Sequence, residues 1–294
     1  MPAKKRSSPF VRPKPLPFRW TPRDACLLTR VWEDKILTST QLSRIFYGSS
    51  KGSPRKRSSK RLRTLYSHHL LDRHFLPLVP SFHGRTDALY TIGKRGVPVV
   101  AEKRSLPPDY IHRTRHKFAK QLKSYAILLT LSHIQALSDV RIAFENGFAI
   151  SPTTQFLRWI PERLLEQRFS ANHQRVKLRP DGLVIYTDTS TSKTYSAYIE
   201  VDRGTESHRQ IGDKVRRYLA FSQTDLPQKA IGSRFFRVIF ISPSKNRSLG
   251  LKGAIEKLTD KIFWLTEADK LEGNWLNQPI FRRVGFNDKY PLID

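Results

Sequence analysis

Cysteine is almost absent from this sequence: Cys26 is the only one in 294 residues. That excludes an internal disulfide framework and any cysteine-rich zinc site, and it suits a reducing compartment. Cys26 itself reads as a small core residue of its helix. Long apolar runs are missing too. Nothing approaches the roughly 18 residues needed to span a bilayer, and the opening "MPAKKRSSPFVRPKPLPF" has basic residues and Pro but no apolar stretch of the secretory kind. No membrane association is expected, and the chain reads as a soluble cytoplasmic protein. Glycine-rich phosphate loops of the Walker type are absent, which argues against ATP-driven activity.

Acids are scarce. Asp and Glu total 25 against 53 Lys and Arg, a formal charge of +28, and a field of that size attracts polyanions, with nucleic acid the usual partner. The imbalance is uneven: residues 1–120 hold 27 Lys and Arg against 7 acids, the remainder 26 against 18. The length suits two domains. Residues 1–20 are expected to form a disordered basic arm, because Pro and charge prevent them from burying enough surface to offset chain entropy.

In 21–105 the signals are those of a small DNA-binding domain. Thr21-Pro22-Arg23-Asp24 opens a helix: a hydroxyl able to cap, Pro where its missing N–H costs nothing, and an acid at the positive helix end. A second helix is predicted in "LTSTQLSRIFY", with Leu42, Ile45 and Phe46 on one face. A basic loop, "GSSKGSPRKRSS", leads into a third helix, "KRLRTLYSHHLLDR", whose buried face is Leu62, Leu65, Tyr66 and Leu70. "HFLPLVPSFHGRTDALYTI" reads as two strands around a turn with Arg85 near its tip. Three helices and a two-stranded wing make a winged helix-turn-helix, in which the third helix can enter the major groove of double-stranded DNA while loop and wing cations contact phosphates. The candidate DNA contacts are Arg55, Lys56, Arg57, Lys60, Arg61, Arg63, Thr64, Ser67 and Arg85.

"LPPDY" reads as a linker, and residues 112–294 as an α/β domain with a central mixed sheet. A long helix is predicted from His116 and a strand at "VRIAFENGF". "FLRWIPERLL" reads as a strand or short helix. Strands follow at "LRPDGLVIYT" and "TYSAYIEVDR", then a helix at "HRQIGDKVRRYLAF" and a strand at "FFRVIFIS". Side chains two apart on a strand share a face, so Glu200 and Asp202 are expected together, with Asp181 at the start of the neighbouring strand. Three such carboxylates could hold Mg²⁺ or Mn²⁺ beside a phosphodiester, and Lys214 on the next helix could stabilise developing phosphate charge. Ordinary pairing remains the alternative: Asp202 beside Arg203, Glu206 near Arg209, and Asp181-Gly182 as a turn.

The stretches "TPRDACLLTRVWEDKILTSTQLSRIFY", "KRLRTLYSHHLLDR", "LYTIGKRG", "RPDGLVIY", "IEVDRGTESHRQIGDKVRRY" and "FWLTEADKLEGNW" resemble the replication-relaxation family of bacterial plasmids and other mobile elements. The resemblance implies a winged helix followed by a restriction-endonuclease-like domain similar to the PD-(D/E)xK nucleases, with their acids at Asp181 and Glu200. It also implies action in replication or DNA relaxation, with other replication or mobilisation proteins as possible partners. One departure stands out. The lysine two residues after the second acid would fall at position 202, where this chain has Asp, so either Lys214 substitutes from the helix or the domain only binds DNA. The third reading is a non-enzymatic initiator or transcriptional regulator. A tyrosine-nucleophile relaxase is poorly supported: none of the nine His lies two residues from another, and Tyr66, Tyr195, Tyr198 and Tyr218 read as core or edge residues.

Overall fold

The protein is described by a computed structural model covering residues 11–15, 17–48, 53–75, 87–122, 127–171 and 173–293. It divides into two compact units, Met1–Ser138 and Asp139–Asp294.

In the first unit, α1 (Pro22–Glu33) starts where Thr21 and Asp24 form a capping box, and the Thr21 N–H donates to Asp24 Oδ2 at 2.8 Å. A second capping box, Thr38 with Gln41, opens α2 (Ser39–Tyr47) directly after the short β1 (Leu37–Thr38). The third helix, α3 (Pro54–Ser67), is longer than the sequence suggests. Pro54 occupies its first turn, so residues 54–59 of the predicted basic loop are helical. Next come β2 (Leu71–His74) and β3 (Leu89–Ile92), which pair antiparallel in a three-stranded sheet of order β1-β3-β2. The predicted turn tip with Arg85 lies outside the described residues.

"LPPDY" is not a bare linker. After α4 (Val97–Arg104) it opens α5 (Pro108–Gln121), whose Ile111 is fully buried in the same core as Leu27, Leu28, Leu62 and Leu65. Arg115 of α5 donates to the Ile92 carbonyl at 3.0 Å and to Asp72 Oδ2 at 2.7 Å, fastening the helix to β2 and β3. Part of the supposed disordered arm is also anchored. Arg12 bonds Asp72 at 2.7 Å and lies over the Tyr66 ring, and Phe18 packs on His68 and beneath Arg61. Cys26 is exposed on α1 rather than in the core, because Leu27, Leu28 and Val31 occupy the buried stripe.

The helix α6 (Ile127–Ile150) ends in the second unit. It absorbs the predicted strand "VRIAFENGF": the alternation Val140, Ile142, Phe144 is also the series Val140, Phe144, Phe148, which lies on one side of a helix. Gly147 belongs to that packing, since an added Cβ would sit 2.4 Å from the Trp275 indole nitrogen. Then follow β4 (Thr154–Pro161), an antiparallel pair β5 (Gln167–Ala171) and β6 (Gln174–Leu178), β7 (Gly182–Asp188) and β8 (Lys193–Val201). The rest is α7 (His208–Ser222), α8 (Leu226–Ile231), β9 (Arg237–Ser242), α9 (Lys245–Glu256), β10 (Phe263–Glu267), β11 (Phe281–Arg283) and β12 (Lys289–Tyr290). Seven strands form a mixed sheet of order β12-β11-β10-β9-β8-β7-β4, parallel at β8, β9 and β10 and antiparallel elsewhere. One face carries Leu183, Ile185, Tyr198, Val238 and Phe240 against Ile211, Val215, Leu251 and Ile255 of α7 and α9. The other carries Trp159 and Tyr186 against Phe144 and Phe148 of α6. No helix among the described residues is long and apolar enough to cross a membrane.

Candidate functional site

The pairing of β7 with β8 places Gly182 opposite Ile199, so Asp181 and Glu200 are the next positions outward. Asp181 Oδ2 accepts the Val201 N–H at 2.8 Å, which fixes the carboxylate across the end of β8. Gly182 is no turn residue. It begins a strand, and its missing side chain admits the Trp159 ring, 2.3 Å from where a Cβ would stand.

On β8, Glu200 faces the α7 layer. It is 1% exposed, and each of its oxygens receives a donor: the Tyr218 hydroxyl at 2.5 Å on Oε1 and the Lys214 ammonium at 2.8 Å on Oε2. Helix periodicity explains why both donors arrive. Ser207 and Gln210 cap α7, and Ile211, Val215 and Tyr218 form its sheet-facing stripe, with Lys214 on the same side. Lys214 also contacts Glu206 at 3.1 Å.

Burial dominates the electrostatics. It pushes the Glu200 carboxyl up to about 7, against the pull of Lys214, while the Asp181 charge raises it further. Lys214 shifts the other way from what burial alone would cause, because Glu200, Asp181 and Glu206 together raise its pKa well above the usual lysine range. Burial and then Glu200 raise the Tyr218 phenol. Three groups from consecutive elements, Asp181, Glu200 and Lys214, therefore act on one another in a buried pocket. Sequence reasoning missed Tyr218, whose burial it foresaw but whose hydrogen bond it did not.

Asp202 does not join them. Glu200 and Asp202 do project towards the same layer, as strand alternation requires, but Asp202 is taken by Arg247 of α9 at 2.7 and 3.0 Å. The same guanidinium donates to the Glu206 carbonyl at 2.6 Å. Among the described residues no three His, Cys, Asp or Glu side chains gather as a metal cluster, so the three-carboxylate arrangement is corrected to two carboxylates and an ammonium. The expected local ion pairs are replaced as well, since Asp202 pairs with Arg247 and Glu206 with Lys214.

The pocket opens into a cleft of about 680 Å³ between β6 and α7. Its walls carry Arg175, Lys177 and Arg179 on one side and Lys214, Arg216 and Arg217 on the other, against the acids Glu200 and Asp213. The sequence reading named Lys214 but passed over Arg175, Lys177 and Arg179, because the β5–β6 pair has no strong pattern of its own.

The expected DNA-contacting residues of the first unit divide. Arg55, Lys56, Arg57, Lys60 and Arg63 are exposed on α3. Arg61 is instead engaged by Asp24, with its Nε 2.7 Å from Oδ1, and donates to the Arg19 carbonyl at 2.9 Å. Thr64 and Ser67 are buried and spend their hydroxyls on the carbonyls of Lys60 and Thr64. A helical wheel of α3 alone cannot foresee this, because Arg12, Phe18 and β2 pack against the helix.

The family model described as Replication-relaxation matches residues 28–234, more than half of the chain. No curated protein and no solved structure matches.

Proposed function

The chain belongs to the replication-relaxation family, which makes it a plasmid replication-related protein, and we propose that it is a DNA-binding protein whose second unit carries a metal-dependent phosphodiesterase site. The first unit serves as a winged helix that presents Arg55, Lys56, Arg57, Lys60 and Arg63 of α3 to double-stranded DNA. The second serves as a restriction-endonuclease-like domain similar to the PD-(D/E)xK nucleases. One observation carries this reading: Asp181, Glu200 and Lys214 converge from β7, β8 and α7, with Lys214 2.8 Å from Glu200 and Glu200 buried and raised to about 7. Titratable groups perturbed in this way beside a cleft are the signature of a working site.

The residues fit a divalent cation. Two hard carboxylates, Asp181 and Glu200, are the number Mg²⁺ commonly takes from protein when substrate phosphate completes its shell. Among the described residues each Glu200 oxygen accepts one hydrogen bond, from Tyr218 or from Lys214, and keeps further lone-pair capacity. Such an ion would polarise the phosphate and favour ionisation of an attacking water. The chain's own groups do the rest. Tyr218 and the Val201 N–H hold the two carboxylates in place, and the Lys214 ammonium lies where it can stabilise charge developing on the phosphate oxygens.

A second reading has its own support. Position 202 holds an Asp committed to Arg247, so a lysine there is lost, and a domain without cleavage would still bind DNA. Nicking of supercoiled plasmid in millimolar Mg²⁺ or Mn²⁺ separates the two. The catalytic reading expects open-circular product from wild type and at least a hundredfold loss in Asp181→Ala and Lys214→Met. Binding of duplex DNA without any metal-dependent nicking would leave only the second reading.

A further inference from the structure

We propose that Glu206 is a positioning residue for Lys214, receiving its ammonium when a divalent cation takes the Glu200 oxygen that the ammonium now occupies. This rests on the metal site of the second unit and adds to it a residue outside the cation's own ligands. An unused oxygen points there. Glu206 Oε2 is buried without a hydrogen-bond partner among the described residues, while Glu206 Oε1 already contacts Lys214 at 3.1 Å. A buried carboxylate oxygen without a donor costs free energy, and a second arrangement in which it is used accounts for its retention.

Lys214 is the donor within reach. Its ammonium stands between two carboxylates, 2.8 Å from Glu200 Oε2 and 3.1 Å from Glu206 Oε1, on a flexible stem with rotatable N–H groups. The two Glu200 oxygens are not equivalent. Oε1 is held by the fully buried Tyr218, which does not line the cleft, whereas Lys214, on Oε2, does. A cation arriving from the cleft therefore competes with the ammonium for Oε2, and the two like charges repel. Glu206 is no further ligand at that spot, since no three such side chains gather there among the described residues. It can take the displaced charge instead. Its main chain is fixed for this: the Glu206 carbonyl accepts from Arg247 at 2.6 Å, and the next residue, Ser207, caps α7. Moved to Glu206, the ammonium stays on α7 beside the cleft and keeps its part in stabilising phosphate charge. The charges also close. When ionised, the three carboxylates that act on Lys214, those of Glu200, Asp181 and Glu206, outweigh its ammonium by the two charges that a divalent cation supplies.

The test is Mn²⁺ binding to the full chain, measured by calorimetry in wild type, Glu206→Gln, Lys214→Met and the double variant. Glu206→Gln is expected to weaken Mn²⁺ binding roughly tenfold, the loss that removing a partner outside the ligand set gives. Glu206→Asp, which keeps the charge on a shorter stem, should recover part of it. Lys214→Met is expected to bind at least as tightly as wild type, because the competing charge is gone. With no ammonium to receive, adding Glu206→Gln to it should change the affinity by less than about twofold. If Glu206→Gln binds Mn²⁺ as tightly as wild type, the inference falls while the metal site stands. If the loss persists in the Lys214→Met background, Glu206 acts on the cation directly and the inference is overturned. Loss of Mn²⁺ binding in Lys214→Met alone would show that the ammonium does not compete for Glu200, and would overturn it as well. If wild type binds no Mn²⁺, the metal site and the inference fall together.

Discussion

Replacing Glu200 by Gln separates a carboxylate kept for chemistry from one kept for an ion pair. In the fold Glu200 titrates near 7, raised from 4.5 chiefly by burial. The folded protein therefore holds that proton more tightly than the unfolded chain does. Below pH 4.5 the group is protonated in both states and contributes its full stability. As pH rises through the folded value that stability is lost, and above about 7 the fold carries a desolvated charge costing up to about 3 kcal/mol. Gln removes the charge and can still accept from Tyr218, while Lys214 retains Glu206 at 3.1 Å and the Asp181 charge. Part of the gain is offset because Lys214 loses its nearest carboxylate, so about 1–3 kcal/mol is expected at pH 8 and close to nothing at pH 4.5. Urea unfolding followed by tryptophan fluorescence is suitable, since Trp159, Trp264 and Trp275 are all buried in this unit. A stabilised variant that cannot nick DNA would mark Glu200 as a residue retained at a cost to the fold. If Glu200→Gln is less stable than wild type at pH 8 by as much as at pH 5, the pair with Lys214 is structural and the reasoning from burial is wrong.

Two further outcomes follow from the same contacts. Millimolar Mn²⁺ is expected to raise the melting temperature of wild type, and more at pH 8 than at pH 6 because protons compete for Glu200 below about 7. Asp181→Ala should abolish the rise, whereas Asp188→Ala should keep it, its carboxylate being occupied by Ser190 and Thr191 in the turn after β7. Asp202→Asn is expected to cost about 2–3 kcal/mol in urea unfolding, less than a fully buried pair, because Arg247 is 19% exposed and can partly rehydrate. A loss below 0.5 kcal/mol, roughly what an exposed pair gives, would show that the bidentate contact is dispensable.

What the sequence disclosed was local. Thr21-Pro22-Arg23-Asp24 announced α1 because a cap is written in four consecutive residues. The helix expected at "HRQIGDKVRRYLAF" likewise put Lys214 on the element that follows the Glu200 strand. Glu200 and Asp181 could be brought together because neighbouring antiparallel strands need only a register. The failures share a cause: the deciding partner lies far along the chain. Asp202 meets Arg247 across 45 residues. Thr64 and Ser67 are buried in a helix against which Arg12, Phe18 and β2 pack. "VRIAFENGF" carries strand-like alternation and a helical stripe at once, and the partners that suit the helix, Trp275 against Gly147 and Trp159 and Tyr186 against Phe144 and Phe148, lie elsewhere in the sequence.

The exchange of lysine for aspartate at position 202 becomes coherent in this light. A lysine at 202, directly after β8, would be positioned by the strand end, whereas Lys214 depends on where α7 begins. That start follows a short connection in which Gly204 takes a positive φ of 78° and Ser207 caps the helix. Arg247 grips the connection at both ends, through Asp202 just after the strand and through the Glu206 carbonyl just before the cap. An acid at 202 therefore suits a site whose ammonium comes from a helix, because it fastens the segment that aims that ammonium at Glu200. It follows that Asp202→Lys does not restore a missing group. It sets a second cation against Arg247, frees the connection, and should lower whatever depends on Lys214 along with stability.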